Sequence, residues 1–80
     1  MEFNMLTFEL PDDKGRLEIH GDKDGFLKLA KLLTELAEEK SSGHLHLMTK
    51  NWGGVTLSNE KQMSTNNLLN HVAVHLKLLE

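Results

Sequence analysis

No cysteine occurs in these 80 residues, which removes a disulfide framework, a thiolate zinc site and a cysteine nucleophile together. Without such staples a chain this short relies on its packed core, aided if at all by a dimer interface. Basic clusters are missing too: nine Lys and Arg stand against twelve Asp and Glu. Phosphate binding needs concentrated positive charge, so nucleic acid is not an expected partner, and a mildly acidic surface suits a basic protein better. Long hydrophobic runs are also absent. "MEFNMLTFEL" has neither the basic start nor the apolar stretch of a signal peptide, and "FLKLAKLL" is interrupted by lysines and cannot span a bilayer. The expectation is one soluble cytoplasmic domain over residues 1–80, without membrane contact.

What is present is enough to fold. The hydrophobic share is 39%, and six glycines bring it near the usual globular proportion. "MLTFEL" (5–10) and "RLEIHG" (16–21) read as two strands joined by "PDDKG", a hairpin in which Leu17 and Ile19 face the core while Glu18 and His20 face water. The period then changes. From an N-cap at Asp22 or Asp24, "GFLKLAKLLTELAEEK" aligns Phe26, Leu29, Ala30, Leu33, Leu36 and Ala37 on one helical stripe, with Lys28, Lys31, Glu35 and Glu38 opposite. Ser41, Ser42 and Gly43 stop the helix, Gly43 suiting a left-handed terminal position. "HLHLMT" alternates again, with Leu45 and Leu47 on one face and His44, His46 and Met48 on the other. Residues 51–54 form a turn, "VTLS" (55–58) returns as a strand, and "NEKQMSTNN" is a loop. The last segment fits a helix or a strand. Its β-branched residues and alternation favour a strand from about 71 to 79. The fold class is α+β: a small antiparallel or mixed sheet of about five strands, order ββαβββ, with one amphipathic helix packed on one face.

In that arrangement His20, His44, His46, His71 and His75 all point away from the helix. His44 and His46 sit two apart on a strand, and His71 and His75 share a face, so a multi-histidine metal site built from these four is one reading. The bland reading is that exposed strand positions hold polar residues, several of which are histidine here. A pH-sensitive surface is a third, since adjacent imidazoles repel when protonated. Catalysis has less support. Ser58, Ser64 and the histidines supply hydrolase residue types, but no nucleophile elbow, phosphate loop, HExxH or paired-carboxylate motif occurs. "GDKDG" (21–25) lacks the closing Glu of a calcium loop. "NHVAVH" has nuclease-like residue types without the basic surroundings a nucleic acid needs. We expect no enzyme and no cofactor.

"GHLHLMTKNWGGVTLSNEKQ" followed by "NNLLNHVAV", after the helix "GFLKLAKLLTELA", resembles the immunity protein 32 family of bacterial polymorphic toxin systems. The similarity spans roughly residues 16 to 76; the helix is generic, whereas "HLHLMTKNWGG" and "LLNHV" are more specific. Thr56 departs from the acidic residue expected in a "GGxEL" pattern, which puts the partner's identity or contact chemistry in question. The resemblance implies a non-enzymatic protein that binds and neutralises a co-encoded toxin in the cytoplasm of the producing cell. Candidate partner-binding residues are Trp52, His44, His46, His71, His75, Glu35 and Glu38. Tryptophan is favoured at interface hot spots, although Trp52 folding back over the sheet to close the core is equally compatible with the sequence. The alternative function is a metal- or small-ligand-binding domain on the histidine face. A homodimer through an exposed strand edge is also open.

Overall fold

The computed structural model describes residues 5–12 and 15–79. The hairpin at the start is present: β1 (Leu6–Leu10) pairs antiparallel with β2 (Glu18–Gly21), with Phe8 opposite Ile19. Asp13 and Lys14, in the connection between them, lie outside the described residues. Helix α1 (Lys23–Ala37) is capped by Asp22, whose Oδ1 accepts from the Gly25 amide at 2.6 Å, satisfying one of the orphan donors of the first turn. Gly25 is required by close approach, because a Cβ there would lie 2.1 Å from the Met5 carbonyl oxygen. The helix thus starts directly against the entry to β1.

The chain goes on through β3 (Gly43–Met48), a single 3₁₀ turn (Lys50–Trp52), β4 (Asn67–Leu68) and β5 (His71–Leu76). Among the described residues five strands form two antiparallel sheets, one in the order β2-β1-β4 and one of β3 with β5. The C-terminal segment is therefore a strand, with Leu45 opposite Val74 and Leu47 opposite Val72. Leu6, Phe8, Leu47 and Leu57 are the buried core of the described residues, and Leu29, Leu32, Leu45, Leu69, Val72 and Val74 pack against it. With one α-helix among the described residues, this is a small α+β domain.

Four expectations are corrected. Residues 55–58 form no strand. The Leu57 amide donates to Met48 O and the Ser58 amide to Leu6 O, so the segment ties one sheet to the other instead of extending either, and β4 begins on the last residue of the stretch read as a polar loop. Leu17 and Ile19 remain 48% and 42% exposed while Glu18 and His20 are half-buried, because β1 is covered on both faces and its polar face is roofed by residues 58–66. On the helix, Leu29 and Leu36 of the expected stripe turn inward, joined by Leu32, whereas Phe26, Ala30, Leu33 and Ala37 are exposed. Finally, α1 ends at Ala37 with Glu38 as its C-cap, and Gly43 opens β3. Glu38, Glu39 and Lys40 have no apolar surface to bury that would prolong it.

Candidate partner-binding surface

Trp52 is 58% exposed, which rules out the reading in which it closes the core. The turn that carries it is tightly bonded. The Trp52 and Gly54 amides donate to Thr49 O, the Gly53 amide to Lys50 O, and the Asn51 amide to Asn59 Oδ1. Thr49 is itself buried, with its amide donating to Asn70 O and its hydroxyl to Asn70 Oδ1 at 2.8 Å. Each glycine after the tryptophan has its own cause. Gly53 adopts φ +86°, and a Cβ on Gly54 would lie 2.2 Å from Met48 O. The indole is therefore held outward on a rigid loop, so little ordering entropy is lost when it is covered. Lys50 of the same turn lines a cleft of about 570 Å³ together with Lys28, Val55, Thr56, Glu60 and Gln62, among others. Val55 is 79% exposed, and Lys28 donates from Nζ to its carbonyl at 3.3 Å.

The histidines occupy a different face. The β3–β5 register places His44 opposite His75 and Met48 opposite His71, with the four imidazoles on the side turned away from the core. His46 Nδ1 and His71 Nε2 are hydrogen-bonded at 2.7 Å. The His44 and His46 rings meet edge-on with centroids 4.8 Å apart, and those of His44 and His75 lie 5.9 Å apart. Desolvation, followed by the neighbouring charges of His44, His71 and His75, holds His46 below the usual histidine range. Among the described residues, no group of three or more His, Asp or Glu stands where it could hold a metal ion; the rings bond to and pack on each other instead. Glu35 shares a smaller cleft with His44 and Glu39, and Glu38 is exposed at the helix end. The candidates thus separate into a tryptophan turn and a histidine face adjoined by Glu35.

The model of the immunity protein 32 family matches residues 16–72, most of the chain and all of the tryptophan turn. The chain belongs to the immunity protein 32 family. No curated protein and no solved structure matches it. Within this family member β1 lies outside the matched stretch, yet it carries the residue that sequence reasoning missed. Glu9 is fully buried and accepts from the Thr7 hydroxyl, the Gln62 and Met63 amides and Asn66 Nδ2. Burial pushes its carboxyl up, but these bonds outweigh that and bring its pKa down to about 2. Asn66 Nδ2 also donates to Glu18 Oε1 at 3.0 Å. Hydrogen bonds from His20 and Asn66 keep Glu18 below the ordinary carboxylate range. Glu9 and Asn66 tie residues 62–66 to the sheet; the cluster is a structural brace for the loop that leads from the tryptophan turn to β4. The described residues include no helix long and apolar enough to cross a membrane.

Proposed function

We propose that this family member is a cytoplasmic bacterial immunity protein that binds the toxin of a polymorphic toxin system encoded beside it and neutralises it by occlusion, without catalysis. The observation that carries the reading is the exposed indole of Trp52 on a hydrogen-bonded turn inside the family-matched region. A large rigid side chain with one hydrogen-bond donor has the properties of an interface anchor, and the cleft lined by Lys50 of the same turn, with Lys28 and Glu60, gives charged groups for the rim. Thr56, neutral at the position where the resemblance leads one to expect an acidic residue, lines the same cleft beside Lys28 and Lys50, which suits a partner with an acidic group at that point. Glu35, Glu38 and the histidine face form a second, peripheral contact area in this proposal. Co-expression with the adjacent toxin gene tests it. Rescue of growth and a co-purifying complex are expected; growth arrest with no complex overturns it.

A further inference from the structure

Among the described residues β2 is paired on one side only, and its outer edge has an unusual combination of features. The Asp22 amide donates to Met5 O at 3.0 Å, so Met5 and Asp22 form a hydrogen-bonded pair. By the alternation of antiparallel ladders, Thr7–His20 and Glu9–Glu18 are also hydrogen-bonded pairs, whereas Leu6–Gly21 and Phe8–Ile19 are not. The opposite side of β1 agrees, since Leu6 O and Phe8 O accept from Ser58 and Leu69. Ile19 and Gly21 therefore direct their backbone N–H and C=O groups outward, away from β1. Their strand has no lysine or proline to blunt the edge. Leu17 and Ile19 are 48% and 42% exposed, and Phe26 is 44% exposed; its ring atoms stand 3.1 to 3.2 Å from where a Gly21 Cβ would be. On β3 and β5, by contrast, the apolar side chains face the core.

We infer that β2 is the contact edge of a symmetric homodimer, paired antiparallel with β2 of a second copy about a two-fold axis at Ile19. The edge is complementary to itself in that register. Ile19 meets Ile19 as a hydrogen-bonded pair. Leu17 falls opposite Gly21 of the second copy, where the Phe26 ring fills the place of the missing side chain and offers it an apolar surface. Glu18, which already bonds His20 and pairs with Arg16 of its own chain, falls opposite His20 of the second copy, and Arg16 falls opposite Asp22, so each carboxylate meets a cationic or hydrogen-bonding side chain across the axis. The register thus pairs Ile19 with itself and places apolar against apolar and acidic against basic or polar positions from 16 to 22, and the two three-stranded sheets become one of six strands. A one-residue slip would turn inward-directed backbone groups to the interface and destroy the fit.

Sedimentation equilibrium of the full chain measures this directly. At about 100 μM, a concentration at which a modest self-association is populated, the expected mass is twice the 9.1 kDa of one chain. Leu17→Lys, at an exposed position just outside the strand, is expected to give monomer with an unchanged circular dichroism spectrum. Because the chain has no cysteine, Ile19→Cys adds a single thiol. The paired Cα atoms of such a hydrogen-bonded pair lie about 5.5 Å apart, within disulfide range, so air oxidation is expected to link two copies, whereas Leu27→Cys on the exposed helix face stays largely unlinked. Monomeric wild type overturns the inference. So does a dimer that Leu17→Lys leaves intact, or equal linking of the two cysteine variants.

Discussion

Replacing Glu9 by glutamine tests whether a buried carboxylate braces the loop that follows the tryptophan turn. The side chain is 0% exposed, so solvent screening does not discount its interactions. Its pKa falls from the ordinary 4.5 to about 2, and at about 1.36 kcal/mol per unit that shift is worth about 3 kcal/mol of folding free energy. The sign follows from the direction: a carboxyl whose pKa is lower in the folded state stabilises fully above pH 4.5 and loses that contribution as pH falls toward 2. A domain of 80 residues has a total stability on the order of 4 to 12 kcal/mol, so Glu9→Gln removes a large part of it. Urea unfolding followed by circular dichroism, at a series of pH values, should show the variant about 3 kcal/mol less stable at pH 7, with the gap shrinking below pH 4.5 and small by pH 2. Other carboxylates titrate in both proteins and cancel in the difference. A gap that is constant from pH 7 to pH 2, or none at pH 7, refutes the reasoning.

The remaining expectations concern the turn, the helix and the histidine face. Gly54→Ala forces a methyl against the Met48 carbonyl and should cost about 2 to 4 kcal/mol, whereas Gly53→Ala has open space around it and costs only about 1 kcal/mol for its positive φ; chemical denaturation ranks the two. Asp22→Ala should destabilise by about 1 kcal/mol through loss of the N-cap, read as a lower melting temperature. The His46 pKa is lowered by its surroundings, so folding is strongest above the ordinary histidine range and weakens as pH falls from 7 to 5. His46→Gln should flatten that slope, and an unchanged slope would remove the histidine face as its source.

The elements themselves were largely legible in the residues. Alternation in "HVAVHL" identified β5, and the change of period after Gly21 identified α1, because side-chain spacing reports backbone geometry directly. Which side of α1 is buried was not legible. Leucines at 27, 29, 32, 33 and 36 surround most of the helix, so the expected stripe contained Leu29 and Leu36 correctly but was centred too far toward Phe26 and Leu33 and missed Leu32, a rotation that only packing decides. Glu9 gave no local signal either, since in "TFEL" it reads as a solvent-facing strand residue while its partners Gln62, Met63 and Asn66 lie more than fifty positions away. β4 was hidden for the same reason: two residues paired with distant β1 carry no periodicity. Trp52 was recognisable as a candidate from composition, but its exposure depends on the tertiary bonds of Thr49 with Asn70 and of Asn51 with Asn59.

The central claim is that Trp52 anchors the toxin, and calorimetric titration of the purified toxin domain with wild-type protein and with Trp52→Ala tests it most directly. The account predicts a loss of affinity of about 30-fold or more, as for a hot-spot residue worth about 2 kcal/mol, with a melting temperature that hardly moves because the indole is already 58% exposed. Unchanged affinity in a folded variant would contradict it.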